Sequence, residues 1–298
     1  MKNYIKEIYE KKYKILLIIP VLMILLAFVQ IGYQYSTEGD FVNRGVSLKG
    51  GVTIDINERS PISVTILEQE LNKHFLANTV TVRTMTALGQ ETGFSVDADF
   101  QDSENIEKLR LILIEQTNLN LINGDNYNPQ ITDSSLGETF FKQTIIALLI
   151  AFVLMGIVVI LYFRSFIPAL AVILSAFADI FVTLAIFNMT GMKLETAGIA
   201  AFLMMIGYSV DTDILVCTRM LKDKGSIMSR IYKAMKTGMT MSMTTIIVVF
   251  LSFILVQSDL VKQIMIILLI GLIVDLVTTW IQNVGMVRIY LEKKGKNE

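Results

Sequence analysis

The sequence predicts a membrane all-α bundle of six transmembrane helices with an extracytoplasmic α+β ferredoxin-like domain between helices 1 and 2. Composition predicts the membrane class, because 53% of the 298 residues are hydrophobic and the mean hydropathy is +0.57. Spacing predicts the inserted domain, because one long polar segment separates the first apolar run from the other five. We therefore divide the chain into residues 1–35 (N-terminus and first helix), 36–142 (inserted domain) and 143–298 (helices 2 to 6 and C-terminus).

Six apolar runs are long enough to cross roughly 30 Å of hydrocarbon. They lie near Ile15–Tyr35, Thr144–Phe163, Phe166–Asn188, Thr196–Met220, Thr240–Gln257 and Ile264–Arg288. We expect the first run to be retained as a helix, because its apolar core is long and no small-x-small cleavage site follows it.

Lysine and arginine residues indicate on which side of the membrane each loop lies. They collect before the first run, after the sixth, and between the fourth and fifth, whereas the two short loops on the other side carry only Lys193 and Lys262. We therefore expect a multi-pass protein of the cytoplasmic membrane, with both termini cytoplasmic and the large loop extracytoplasmic. Arg219 and Lys236 lie near the cytoplasmic helix ends, where long basic side chains reach water or pair with acids.

The polar segment 36–142 has the pattern of a small α+β domain. It contains 16 acidic and 8 basic residues. The alternating stretch GVTIDIN predicts a strand, and SVTILEQELNKHF has the spacing of a helix. The stretches TVTVRTMTA and GFSVDADF predict two more strands, DSENIEKLRLILIEQTN predicts a second helix, and a last strand is expected near Asn128–Thr132. This order of elements is that of a ferredoxin-like domain.

Several kinds of site are disfavoured by composition. The chain has one cysteine and one histidine, so an internal disulfide, a cysteine zinc cluster and a multi-histidine metal site are excluded, and no metal or cofactor is expected. His74 is predicted to be a surface residue on a helix. Gly45, Gly50 and Gly51 lack the spacing of a phosphate loop and predict a tight turn into the first strand. The nearly neutral charge gives no indication of nucleic-acid binding.

Four aspartates lie inside the apolar runs and are the candidate functional residues: Asp179, Asp211, Asp213 and Asp275. Each would cost roughly 2.5–3.5 kcal/mol if it faced lipid at the centre of a helix. We therefore expect them to face a protein interior, a water-filled path or a partner subunit. A buried carboxyl without a neighbouring cation favours its neutral form, which is the condition for a proton carrier. The alternative is that protonated aspartates only hydrogen-bond neighbouring helices and hold the bundle together.

Asp211 and Asp213 are about 200° apart around a helix, so they cannot serve one site on the same face. Asp211 shares its face with the small-residue stripe of Gly207, Tyr208 and Ala200, which favours close helix contact, and we expect Asp211 to face the bundle. We expect Asp213, which shares its face with Ser209, to face another side, such as a second subunit. Tyr208, Ser209 and Thr212 are candidate relay neighbours of these acids, or satisfy only local partners.

The motifs together resemble the SecF family of protein-export membrane proteins, within the resistance-nodulation-division superfamily. RGVSLKGGVTI is similar to the archaeal form of the motif after the first span. YFRSFIPALAVILSAFADIFVTLAIF resembles spans two and three, where Asp179 takes the aspartate position. AGIAAFLMMIGYSVDTDILVCTRM is similar to the span-four motif, and KTGMTMSMTT resembles the start of span five. The resemblance covers essentially the whole chain.

The resemblance implies a subunit that pairs with a SecD-like chain, works beside the Sec translocon channel and contacts translocating polypeptide and membrane lipid. It implies no enzymatic activity, and it implies proton flow through Asp211. The chain also departs from its bacterial relatives. It has Asp211, Thr212 and Asp213 where they have Asn-Asp-Thr, Thr237 at the position of a span-five arginine, and Asp275 where glycine is usual.

Two other functions remain open. A self-sufficient exporter of small molecules or lipids would assemble from copies of this chain, and would need larger outer domains to enclose a substrate. An intramembrane aspartyl protease would use Asp179 and Asp211 as a pair of carboxyls that share a proton, but GYSVD lacks the Gly-x-Gly-Asp context.

Overall fold

The computed structural model describes residues 9–10, 12–60, 63–75, 79–87, 90–256 and 258–295. One long helix precedes a four-stranded sheet and five long helices follow it, as the sequence predicts. In chain order the elements are α1 (Tyr13–Glu38), α2 (Val46–Lys49), β1 (Gly51–Ile56), α3 (Val64–His74), β2 (Val80–Ala87), β3 (Gln90–Ala98), α4 (Ser103–Thr117), β4 (Tyr127–Thr132), α5 (Ser134–Phe163), α6 (Phe166–Met189), α7 (Thr196–Lys222), α8 (Ile227–Leu255) and α9 (Leu260–Lys294).

The strands form one antiparallel sheet in the order β2-β3-β1-β4. We call β1 to β4 with α3 and α4 the sheet unit. Its core forms because side chains alternate along β1, so Val52, Ile54 and Ile56 face α3 and α4 and are fully buried. The opposite face carries Thr53 and Asp55, which line a cleft between the sheet and the ends of the long helices. A polar sheet face therefore lies over one end of the bundle, which we call the sheet end.

The glycines before β1 allow the chain to enter the strand. Gly50 and Gly51 have φ angles of 86° and 137°, where residues with a Cβ are strained. A Cβ on Gly51 would lie 2.2 Å from the carbonyl oxygen of Ala98. The predicted turn is therefore present, with the single helical turn α2 directly before it. His74 is exposed at the end of α3, as predicted.

Six helices in the described ranges are long and apolar enough to cross a membrane, as the sequence predicts. They are α1 and α5 to α9. Two of them, α6 and α7, form the centre of the bundle. In the most apolar stretch of each of these helices 56% of the residues are buried, compared with 11% for α1 and 6% for α5. The peripheral helices expose leucine, isoleucine and valine, as helices in contact with lipid do.

Two helices begin well before their apolar runs. Helix α5 begins at Ser134, where the Asp133 side chain accepts the Ser135 amide at 2.7 Å. Helix α8 begins at Ile227, and Ser226 caps it. Such caps satisfy backbone amides that would otherwise lack a partner. Each helix is therefore longer than the apolar run that predicted it.

Helix α9 contains a π-helical segment, Thr278–Asn283, between α-helical stretches. All of its residues except Ile281 are buried. The wider π turn presents several successive polar side chains to α6 and α7, which a regular α-helix would spread around its circumference. This segment forms one wall of the candidate site.

Candidate functional site: a buried carboxyl cluster

Three of the four intramembrane aspartates meet in the centre of the bundle. Asp179 comes from α6, Asp213 from α7 and Asp275 from α9, and each is at most 1% exposed. Their helices are the three most buried of the six long helices in the described ranges, and each contributes one acid to the cluster.

Asp179 is held by two hydroxyl groups. Ser209 of α7 donates to Oδ2 at 2.5 Å, and Thr278 of the π segment donates to Oδ1 at 2.5 Å. Both carboxyl oxygens therefore have a donor, and Asp179 connects α6 to α7 and α9.

Asp213 and Asp275 contact the same hydroxyl group. The Thr279 Oγ1 lies 2.8 Å from Oδ1 of Asp213 and 2.9 Å from Oδ1 of Asp275. A hydroxyl group carries one hydrogen, so it donates to only one of the two carboxyls. The other contact is a hydrogen bond only when that carboxyl carries a proton and donates it to the Thr279 oxygen. The arrangement is therefore satisfied when the pair holds at least one proton.

A second chain of contacts reaches Asp213 from the π segment. The Asn283 side chain donates to Oδ1 of Asp213 at 2.6 Å, and its own oxygen accepts from the Cys217 thiol at 3.1 Å. The second oxygens of Asp213 and Asp275, and the Ser175 hydroxyl, are buried without a hydrogen-bond partner among the described residues. The cluster therefore has capacity for further protons or donors.

No lysine or arginine in the described ranges forms an ion pair with these three acids. In a low-dielectric interior, neighbouring carboxylates without a cation repel each other strongly. Protonation removes this repulsion, so the cluster favours states in which protons are shared among the acids. Within the same ranges, no three histidine, cysteine or carboxylate side chains are arranged to hold a metal ion.

Comparison with known proteins identifies the family. The model of the family "Protein export membrane protein SecD/SecF, C-terminal" matches residues 115–293. SecF of Methanolacinia petrolearia is 33% identical over 97% of this chain and 96% of its own, and SecF of Pyrococcus furiosus is 32% identical over 100% and 98%. The chain belongs to the SecF family of protein-export membrane proteins.

The fold of this SecF-family chain also resembles a solved bacterial structure. SecDF of Thermus thermophilus, a translocon-associated membrane protein, superposes with a TM-score of 0.72 at 16% identity. The match covers 95% of this chain and only 38% of the SecDF chain. The likeness therefore concerns the fold, and this chain spans well under half of that protein.

The positions of Asp211 and Asp213 are opposite to the prediction. Asp213 is fully buried against the π segment, and Asp211 is exposed on the outer surface of α7. The small-residue stripe of Ala200 and Gly207 is exposed with Asp211, because the interior side of α7 is occupied by larger side chains and by Ser209. The predicted separation of the two acids onto different faces is confirmed, and the predicted pair of Asp179 with Asp211 is not formed.

Among the predicted relay neighbours in this SecF-family helix, only Ser209 hydrogen-bonds an acid of the cluster, and that acid is Asp179. Thr212 is buried but contacts the Tyr208 carbonyl of its own helix at 3.3 Å, and the Tyr208 hydroxyl has no partner among the described residues. Arg219 lies in the last turn of α7 and Lys236 is exposed on α8, both away from the acids. Gly45, Gly50 and Gly51 lie at the sheet end.

Sequence reasoning missed the four polar residues of the π segment. Thr278 and Thr279 and, one turn later, Gln282 and Asn283 interrupt an apolar run, and all four are buried. Their spacing could have indicated the partner of the acids, since buried polar groups require hydrogen-bond partners.

A cavity of about 170 Å³ also reaches Asp275 from the side of α8, lined by Met204, Tyr208 and Thr245 among others.

Proposed function

We propose that this SecF-family chain couples proton flow through its buried carboxyl cluster to protein export, as the partner of a SecD-like subunit. The observation that carries the proposal is the single Thr279 hydroxyl between Asp213 and Asp275. Such an arrangement allows a proton to pass from one carboxyl to the next with only small movements of the side chains.

Proton transfer would change how the helices are held together. A proton on Asp213 changes its hydrogen bonds to Thr279 and Asn283, both in the π segment of α9. A proton on Asp179 changes its bonds to Ser209 and Thr278. Each transfer would therefore alter the contacts of α9 with α6 and α7, and this is the conformational signal in the proposal. The cavity beside Asp275 is a route by which water could reach the cluster.

The exposed stripe of α7 is the surface that we assign to the SecD-like subunit. An exposed Asp211 inside an apolar helix is costly against lipid, and the surface at Gly207 is open, since a Cβ there would meet nothing within 4 Å. A partner helix with a hydrogen-bond donor opposite Asp211 would satisfy both features. The solved SecDF chain is much longer than this one, which supports the need for a second subunit.

We further propose that the sheet unit is a ferredoxin-like domain on the extracytoplasmic side, where it contacts the translocating polypeptide or the SecD-like partner. Support comes from its element order and from the sheet order β2-β3-β1-β4, in which each helix connects two strands that flank a third. The distribution of lysine and arginine supports cytoplasmic termini. It also supports contact of the lysine- and arginine-rich loop between α7 and α8 with lipid headgroups beside the Sec translocon channel.

The proposal is tested with the two subunits reconstituted into vesicles, separately and together. We expect an imposed proton gradient to drive proton uptake only in vesicles that hold both chains. When the Sec translocon channel is reconstituted with both chains, we expect the gradient to increase export of a model preprotein. The matched control is the same complex without a gradient. A gradient that changes neither uptake nor export in the complete complex would contradict the proposal.

A further inference from the structure

The sheet unit and the bundle are joined at a buried carboxylate, Glu195, in the loop between α6 and α7. Glu195 is only 5% exposed. The Ser47 amide donates to its Oε2 at 3.1 Å, and the Ser47 hydroxyl donates to the same oxygen. The Ser47 oxygen in turn accepts the amide of Thr196, the first residue of α7. One carboxylate thus binds α2 to the beginning of α7.

The backbone supports this joint from the same loop. The Leu194 amide donates to the Asn43 carbonyl at 2.6 Å, and the Gly45 amide donates to the Leu194 carbonyl at 2.8 Å. Gly45 leaves room for the acid, because a Cβ at this position would lie 2.0 Å from Oε1 of Glu195. The absence of a side chain at Gly45 is therefore explained by the carboxylate that fills the space.

A third element, α9, enters through Gln263. Its side-chain oxygen accepts the Glu195 amide at 3.0 Å, and its side-chain nitrogen donates to the Lys193 carbonyl at 2.6 Å. Gln263 is only 7% exposed. The loop that carries Glu195 is therefore fixed to α9 as well as to α2.

The joint contacts two of the three helices that carry acids of the cluster. Glu195 directly precedes α7, and Asp213 lies about 27 Å further along it at 1.5 Å per residue. Gln263 lies about 18 Å before Asp275 on α9 by the same rise. In the other direction, α2 leads through Gly50 into β1, the strand that pairs with both β3 and β4.

We infer that Glu195 is the positioning residue that transmits movement of α7 and α9 to the sheet unit. The inference rests on the proposed function for the source of the movement, and on the hydrogen bonds above for its path. Glu195 contacts none of the three cluster acids, so it acts through Ser47 and the loop backbone. A displacement of either helix at its sheet end pulls on α2 and, through it, on the inner strand β1.

The test uses the full complex with three variants of the joint. Glu195→Ala removes the carboxylate, Glu195→Gln keeps an oxygen that can accept from Ser47, and Ser47→Ala removes the hydroxyl donor on the other side. Spin labels on cysteines at Glu115 and Met189, both exposed, report the distance between the sheet unit and the bundle. The native Cys217 is buried and does not compete for the label.

We expect Glu195→Ala and Ser47→Ala to broaden the distance distribution, and Glu195→Gln to keep the native one. Gradient-driven export should fall roughly 5- to 150-fold in the two alanine variants, the usual range of coupling between sites, while proton uptake keeps its native rate. Loss of uptake and export together in all three variants would indicate only a folding role and would overturn the inference. An unchanged distance distribution in both alanine variants would also overturn it.

The experiment distinguishes failure of the proposed function from failure of the inference about Glu195. If the native complex takes up no protons, proton coupling is lost, and the label distances, which need no proton gradient, still show whether Glu195 holds the sheet unit to the bundle.

Discussion

Asp213 and Asp275 are joined through one hydroxyl group, although they belong to different helices. Thr279 lies within 3 Å of both, and the other oxygen of each acid has no hydrogen-bond partner among the described residues. The Thr279 hydroxyl cannot donate to both acids at once, so both of its contacts are hydrogen bonds only when one of the two carboxyls holds a proton. This geometry makes the number of bound protons a structural variable in the centre of the bundle.

The Thr279 hydroxyl can be removed without changing the volume of the side chain. Thr279→Val replaces it with a methyl group, whereas Thr279→Ser keeps it and serves as the matched control. A hydrogen bond to a charged group is worth roughly 1.5–3 kcal/mol, so we expect Thr279→Val to slow proton uptake roughly 10- to 150-fold. Uptake in vesicles measures the effect. Equal rates in the two variants would show that the hydroxyl does not connect the acids.

Gly238 of α8 allows close packing against the π segment. A Cβ at this position would lie 2.7 Å from the Trp280 ring, which is rigid and buried. We expect Gly238→Ala to destabilise the fold by about 1–3 kcal/mol, because overpacking forces the ring or the helix to move. Denaturant titration in detergent measures the free energy of unfolding. Gly207→Ala is the control, since its Cβ meets nothing within 4 Å and should cost nothing.

The open surface at Gly207 predicts where a partner binds. Gly207→Leu places a large side chain on the exposed stripe, and we expect it to reduce co-purification of the SecD-like subunit without lowering the stability of the isolated chain. Gly32→Leu is the matched control, because Gly32 is equally open but lies on α1. Full recovery of the partner with Gly207→Leu would place the interface elsewhere.

The sheet unit should respond to acid through the cap of α4. The Asp102 side chain accepts the Asn105 amide at 2.9 Å, and this hydrogen bond holds the pKa of Asp102 below its usual value. The contribution of the cap is therefore full above the unfolded pKa of about 3.9 and is lost as the pH falls through the lower folded pKa.

Asp102→Asn keeps the acceptor but does not titrate, so it isolates this effect. We expect the difference in thermal midpoint between the native chain and Asp102→Asn, followed by circular dichroism, to decrease as the pH falls below the unfolded value. A difference that does not vary with pH would show that the Asp102 charge contributes nothing to the cap.

The sequence predicted the elements better than it predicted which way they face. The six helices follow from runs of apolar residues, and the strands follow from the alternation of apolar and polar residues. Both patterns can be read from neighbouring positions in the sequence. The direction of Asp211 does not, because a small-residue stripe such as that of Gly207 fits a helix of the same chain as well as one of another chain. Only the assembled bundle shows that Ser209 and Asp213 take the interior face.

The π segment could not be predicted from periodicity alone. An α-helical period separates Thr279 from Asn283 by one turn and does not indicate that the helix widens between them. The widening depends on the tertiary contacts of Thr278 with Asp179 and of Asn283 with Asp213. The joint at Glu195 was missed for a similar reason, because its partners Ser47 and Gln263 are distant in the chain.

The most direct test of the central claim compares Asp213→Asn with Asp211→Asn in the reconstituted complex. The two substitutions make the same chemical change two residues apart, one inside the cluster and one on the exposed face. The measurement is gradient-driven proton uptake in vesicles that contain the same amount of assembled complex. We predict that Asp213→Asn abolishes uptake and that Asp211→Asn retains it, and native uptake in Asp213→Asn would contradict the proposal.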